Sequence, residues 1–325
     1  MIDQIVVPDT TMIVLVAFTS LLISGIAFYK KVLDQGGSAL AFLICFLSGT
    51  LGHWSWLLLL LIFVGSSFLA TRFAIVYKMA LGVEESDAGT RGGSNVVSNG
   101  IVPPIVALGY SLGLLEPEQA LVAFTTSIAA ASADTMASEI GVLSPKPVMI
   151  IRPWETVEPG TDGGVSLEGT IASLLSSVSM SMLSFAAFVL VIPSDNPLSL
   201  SFEINYLYIS AFFGFFGSII DSLLGATLES RGILGNSGVN FCSITLTVIL
   251  SQELSKYSII VNSVNPGGTA TKMRREAFPD ENQSSLPQPE DVVPIFSYLS
   301  SAVSYTHLRA HETLRYLVCR LLLEK

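Results

Sequence analysis

Charge is scarce in this 325-residue chain: 13% of its residues are Asp, Glu, Lys or Arg, about half the share of a typical soluble domain. A water-soluble fold of that length needs charged faces on most of its helices, and these are missing. Basic residues are scarcer still, 16 Lys and Arg against 26 Asp and Glu, for a formal net charge of −10. Nucleic acid is therefore excluded as a partner, because neutralising its phosphates takes a basic excess. Cysteine is nearly absent. Cys45, Cys242 and Cys319 are odd in number and far apart, which excludes a disulfide framework and any zinc-ligand spacing. What is plentiful is apolar: half of the residues are hydrophobic and the mean hydropathy is +0.63. That is the composition of an integral membrane protein.

A helix needs about 20 apolar residues to cross the hydrocarbon of a bilayer. The candidate spans are Thr11–Tyr29, Ser38–Leu51, Trp54–Thr71, Asn99–Leu115, Gln119–Ile140, Val165–Ile192, Tyr206–Thr227 and Val239–Leu250. The second and last are short, so the count is about seven or eight. Acidic Asp3 and Asp9, with no Lys or Arg, precede the first span, which is the wrong flank for a cleaved signal peptide. The basic residues then set the orientation. Lys30 and Lys31 follow span one; Arg72, Lys78 and Arg91 follow span three; Lys146 and Arg152 follow span five; Arg231 follows span seven. The N-terminus and the loops after spans two, four and six have none. The expectation is an all-α polytopic bundle with its N-terminus outside and the odd-numbered loops in the cytoplasm.

Polar segments cluster in those odd-numbered loops and the span ends beside them. Ala88–Gly100 is glycine-rich and carries Arg91, Asn95 and Asn99, the two asparagines four residues apart and so on one helix face. At the inner end of span five, Asp134 and Ser138 share one stripe and Thr135 and Glu139 another. Hydroxyls there fit helix-to-helix packing, but ionised carboxylates at membrane depth cost several kcal/mol unless they face a partner, a cation or a cavity. In Glu158–Thr170, Gly160, Thr161, Gly163, Gly164 and Ser166 form a turn able to present bare backbone N–H groups and hydroxyls to phosphate. Span seven holds Asp221 beside Ser222 among apolar residues, near the same end as Asp134. Two acids converging there, flanked by glycine turns, point to a divalent-metal and phosphate site, with Arg91, Lys146 or Arg152 as phosphate clamps.

These segments, in this order, resemble a membrane-protein family that includes transmembrane protein 19 and the chloroplast phytyl-phosphate kinases. The residues that carry the resemblance are NVVSNG at Asn95–Gly100, ADT and ASEIG within Ala133–Gly141, PGT and GGVS within Pro159–Ser166, GSIIDSLLGAT at Gly217–Thr227, and VNF at Val239–Phe241. The resemblance covers about residues 10–245 and implies an Mg²⁺-dependent enzyme moving a phosphoryl group from CTP or ATP to a prenyl monophosphate. For that chemistry the residues themselves suggest Asp134 and Asp221 as Mg²⁺ ligands and Glu139 as a third ligand or a carboxylate behind them. Arg91 and the turn at Gly160–Gly164, with Ser166 and Ser222, would hold phosphate, and Asn95 and Asn99 would orient nucleotide or substrate. The rival reading is a transporter or lipid-handling protein without catalysis, since intramembrane acids and glycine-broken helices serve transport equally well.

Residues 1–246 thus read as one membrane domain. Residues 247–302, with SQELSKYSIIVNSVNPGGTATKMRREAF at Ser251–Phe278 and the later PEDVVPIFSYLSS, resemble a C-terminal fragment of a short-chain dehydrogenase. No glycine-rich dinucleotide turn in a βαβ setting and no Tyr-x-x-x-Lys pair accompany it, so oxidoreductase chemistry is not expected. Residues 303–325 look like translated sequencing adapter, and the His307/His311 pair there carries little weight as a metal site. The chain is expected to be chimeric.

Overall fold

The computed structural model describes residues 10–81, 90–192, 196, 198 and 203–255. Ten α-helices lie among the described residues: α1 Thr10–Tyr29, α2 Gln35–Leu51, α3 Trp54–Arg72, α4 Ile75–Leu81, α5 Gly93–Gly100, α6 Val102–Ser111, α7 Pro117–Gly141, α8 Leu167–Val191, α9 Ile204–Leu224 and α10 Asn236–Ser255. A π-helical turn, Gly225–Glu229, continues α9. Five helices are long and apolar enough to cross a bilayer: α1, α3, α7, α8 and α9 with its π turn. α2 and α6 are shorter apolar helices. The protein is an all-α integral membrane bundle, as its composition requires.

Local chemistry starts the helices where the sequence offers caps. The Asp34 carboxylate accepts the Gly37 N–H at the start of α2, and Ser166 Oγ accepts the Gly169 N–H at the start of α8. Glu116 and Gln119 form a reciprocal capping box before α7, with Pro117 at its first position. His53 Nδ1 accepts the Ser55 N–H to open α3, and burial holds its imidazole below the usual histidine range. The expected fourth span is not one continuous rod. It breaks at Ile101 into α5 and α6, where Pro103 and Pro104 supply no N–H to the preceding turn. The ten residues of α6 rise only about 15 Å, half of the hydrocarbon thickness.

α7 is the axis of the bundle, packed against α3, α6, α8, α9 and α10. Its small residues allow this. A side chain at Gly217 of α9 would meet Ala130 Cβ at 2.9 Å, and one at Gly169 of α8 would meet the Ala137 carbonyl at 2.7 Å. Close backbone approach of this kind is how membrane helices gain dispersion energy without a hydrophobic driving force. Trp56 of α3 stacks on Phe124 of α7 with ring centroids 4.1 Å apart, both fully buried. Val14, Phe18, Leu21 and Ile26 of α1 face outward, as a lipid-facing surface requires. α10 runs unbroken through the expected junction at residues 246 and 247, and Gln252 donates to the Gln119 carbonyl at 3.0 Å. The remainder of the dehydrogenase-like segment and the 303–325 end, with His307 and His311, lie outside the described residues.

The helices alternate in direction, so their motif-bearing ends gather at one end of the bundle. There Arg91 bonds to the α1–α2 connection through Val32 and Asp34, Ser94 meets Ser237, and Ser166 donates to the Gly141 carbonyl. All eight basic residues of the first 250 sit in these connections or at the helix ends that meet them. Between α7 and α8 a small antiparallel sheet, β1 Val148–Met149, β2 Arg152–Thr156 and β3 Gly164–Val165 in the order β2-β1-β3, frames the glycine turn.

Candidate functional site

At this end a cavity of about 480 Å³ opens between α7, α8, α9, α10 and the glycine turn. Each wall has a local cause. The last turns of α7 contribute buried Asp134 and, four residues on, exposed Ser138. Ser166 caps α8 and ties it to Gly141, setting the start of α8 against the end of α7. The turn is wound by hydrogen bonds from Thr161 N–H to the Glu158 carbonyl at 3.2 Å and from Gly164 N–H to the Thr161 carbonyl at 2.8 Å. Gly160 and Gly163 take φ of +85° and +74°, the left-handed region that disfavours side chains. Gly163 is doubly required, since a Cβ there would sit 2.7 Å from Ala226 Cα in the π turn. A single π turn often marks a functional position in a helix, and this one swings Gly225 and Glu229 toward the cavity.

Asp221 is held in place by α10. Ser243 Oγ donates to its Oδ1 at 2.9 Å, and the Asn240 amide, turned so that its nitrogen faces the carboxylate, donates to the same oxygen at 3.2 Å. Asn236 and Asn240 line the cavity, and with Ser243 they fall at i, i+4 and i+7 on one face of α10. Asn236, Ser243, Asp162 and Glu229 are not among the residues expected from the sequence, and Asn240 is there only as part of the VNF motif. The signal was present: NSGVNFCS places a polar stripe on an otherwise apolar helix. Asp162 and Asp221 lie close enough to Glu229 to act on its charge.

Of the expected site residues, Asp134, Glu139, Asp221, Gly160, Thr161, Gly163, Gly164, Ser166 and Ser222 all border this one cavity. Arg91, Asn95 and Asn99 do not. They line a second, nearly apolar cavity of about 60 Å³ beside Leu33, Ile44 and Phe63. Asn99 folds back on its own helix, its amide donating to the Asn95 carbonyl at 3.1 Å. Arg91 donates to Thr71 Oγ1 at 3.0 Å and pairs with Glu139 at 3.4 Å. Glu139 also accepts a hydrogen bond from Thr71 and pairs with Lys78 at 2.6 Å, with side chains 4% and 1% exposed. Glu139 is thus neutralised from behind by α4 and the segment before α5, and it forms the wall between the two cavities. Arg152, an expected clamp, pairs with Glu155 on the exposed hairpin instead.

The cavity's chemistry is one-sided. Its described lining residues include Asp134, Glu139, Asp162, Asp221 and Glu229 and no Lys, Arg or His. Hydroxyl, amide and carboxylate oxygens make a hard donor set with no thiolate or imidazole, which suits magnesium, manganese or calcium rather than zinc or copper. No three His, Cys, Asp or Glu groups among the described residues converge tightly enough to cage an ion by themselves. One or two carboxylates completed by water and phosphate oxygens is the usual magnesium arrangement, and the residues present fit it.

Among known proteins, the chain is 32% identical to Protein PGR of Arabidopsis thaliana over 275 residues, covering 73% of this chain and 94% of that protein. It is 27% identical to the chloroplastic Protein VTE6 of the same plant over 239 residues, 70% of this chain and 68% of that one. A short stretch of 51 residues, 16% of the chain, is 49% identical to the uncharacterized oxidoreductase YciK of Escherichia coli and covers 20% of it. No solved structure matches. The family model described as integral membrane protein DUF92 matches residues 18–248, well over half of the chain, and this protein belongs to that family.

Proposed function

We propose that the protein is a membrane phosphotransferase that moves the terminal phosphoryl group of CTP or ATP onto an isoprenoid monophosphate. The observation that carries the reading is the acid-lined cavity at the motif-bearing end of the bundle, which joins carboxylates from α7 and α9 to a glycine turn. The resemblance to phytyl-phosphate kinases and the similarity to VTE6 support the same chemistry. The basic residues at that end support placing it in the cytoplasm, where nucleotide is available. The short oxidoreductase likeness adds no catalysis here, and we assign it to the 247–302 segment.

In this reading Asp134 and Asp221 hold a magnesium ion, which when bound neutralises the phosphates and supplies the Lewis acidity that phosphoryl transfer needs. Ser243 and Asn240 fix the Asp221 carboxylate so that little reorganisation is left for the reaction. In the 160–164 turn Thr161 and Gly164 use their N–H groups within the turn itself, and those of Gly160 and Asp162 are the donors assigned to phosphate oxygens. Ser166 keeps α8 at the distance from α7 that leaves the cavity open. Glu139, held by Lys78 and Arg91, sets the rear wall and is a positioning residue.

The test is transfer of labelled γ-phosphate from CTP or ATP to farnesyl monophosphate by the full chain in nanodiscs. Magnesium-dependent product is expected from the wild type and none from Asp134→Asn. Retained activity in Asp134→Asn, or saturable cation-coupled flux of the prenyl phosphate with no transfer, would overturn the proposal and favour transport.

A further inference from the structure

The large cavity is not only a polar bowl at the membrane face. Along α9 its wall runs from Glu229 and Gly225 down through Ser222, Asp221 and Ile219 to Phe215. The ten steps from Gly225 to Phe215 descend about 15 Å, close to half the hydrocarbon thickness. Opposite them on α8, Gly169, Thr170 and Ser173 form the facing wall. Where α8 meets α9 the buried Ser173 and Ser218 hydroxyls bond to each other, and beside that contact Ile219 and Phe215 give the cavity an apolar wall.

The cavity has exposed residues on two flanks. One is the turn side, at Ser138 and Gly160–Asp162. The other is Thr170, exposed on the first turn of α8 and followed directly by outward-facing Ile171 and Leu174. Leu223 and Phe212 of α9 are likewise exposed beside it. A polar mouth and a lipid-level flank on one cavity match an amphiphile with an anionic head and a hydrocarbon tail. A free nucleotide has no need of the second.

We infer that the crevice between α8 and α9 is a lateral entry for the substrate's hydrocarbon chain, with Ile219 and Phe215 as its specificity-determining apolar wall. This rests on the phosphotransferase reading for the head group and extends it by placing the isoprenoid chain. The monophosphate occupies the upper cavity beside Asp221 while the chain lies along α9 and leaves past Thr170 into the bilayer. Bulk at Ile219 or at Thr170 then blocks the chain without touching the carboxylates.

The experiment uses the full chain in nanodiscs and a farnesyl monophosphate carrying a diazirine at the far end of its chain, photolysed without nucleotide, with adducts mapped by mass spectrometry. Adducts on Phe215 or Ile219, competed by unlabelled farnesyl monophosphate, are expected. Ile219→Trp should cut their yield about tenfold, the scale of an overpacking penalty. Thr170→Phe, at an exposed position that any folded variant tolerates, should cut it similarly. Adducts confined to Phe212 and Leu174 and indifferent to competitor would overturn the inference, as would competition by phosphatidic acid that equals or exceeds that of farnesyl monophosphate. Because no nucleotide is present, crevice labelling stands even where phosphoryl transfer is never observed. Transfer accompanied by labelling elsewhere removes the crevice and leaves the enzyme.

Discussion

Replacing Lys78 with methionine tests the buried cluster that walls the cavity. Lys78 Nζ lies 2.6 Å from Glu139 Oε2 and 3.0 Å from the Ala70 carbonyl, and 1% of the side chain is exposed. At an effective dielectric of about 20, the Lys78–Glu139 attraction is about 6 kcal/mol and the Arg91–Glu139 attraction at 3.4 Å is about 5 kcal/mol. Most of this offsets desolvation. Methionine fills the lysine volume but leaves a carboxylate, 4% exposed, with Arg91 and Thr71 alone. Breaking a buried pair from one side costs 3–5 kcal/mol, and with Arg91 retained the expected loss is about 3 kcal/mol. The assay is unfolding of the full chain in mixed dodecyl maltoside and SDS micelles, followed by tryptophan fluorescence. Adding Glu139→Gln to Lys78→Met removes the stranded charge and should return about 2 kcal/mol, a clear coupling in the double-mutant cycle. A loss under about 1 kcal/mol for Lys78→Met, or strict additivity in the cycle, would refute the reasoning.

Three further outcomes follow from the same geometry. Gly163→Ala combines a left-handed backbone with a clash against Ala226, so it should destabilise by about 2–4 kcal/mol and lower cation binding; Gly232→Ala, also at positive φ but facing open space, should cost only about 1–2 kcal/mol in the same unfolding assay. Ser243→Ala and Asn240→Leu remove two donors that fix the Asp221 carboxylate and should weaken Mn²⁺ binding about 10–100-fold, read by calorimetry. His53 is held below its unfolded value of 6.5 by burial, so the cap it provides is fully present above that pH and is lost as pH falls through the lowered folded value. His53→Asn keeps a cap and should remove that acid-side loss from the pH dependence of the denaturation midpoint.

Much of the architecture was readable because membrane spans announce themselves by length and apolarity. The candidate spans map onto α1, α2, α3, α7, α8, α9 and α10 within a few residues. The α5–α6 segment differs because a hydropathy pattern runs smoothly over Pro103 and Pro104, although both remove helix donors. Asp134, Asp221 and the glycine turn stood out as polar groups where burial is costly, and they share a cavity. The partners of Glu139 were not readable: Lys78 lies 61 residues away in sequence and is brought to it only by the packing of α3 and α4 on α7. Arg91 suggests a phosphate clamp because it is the single basic residue of the glycine-rich Ala88–Gly100 segment. That position instead serves a carboxylate across the bundle. Asn236 and Ser243 escaped because their helix was judged by its apolar stretch rather than by its polar face.

The account depends on Asp134 and Asp221, from different helices, binding one divalent cation together. Titration of Mn²⁺ into the nanodisc-embedded protein, read by the loss of its free-ion paramagnetic resonance signal, measures this directly for wild type, Asp134→Asn, Asp221→Asn and the double variant. One shared ion requires a single saturable site, each single substitution weakening it about tenfold or more, and the double variant little worse than either single one. Unchanged affinity in both single variants, or losses that simply add, would mean the two aspartates hold nothing in common.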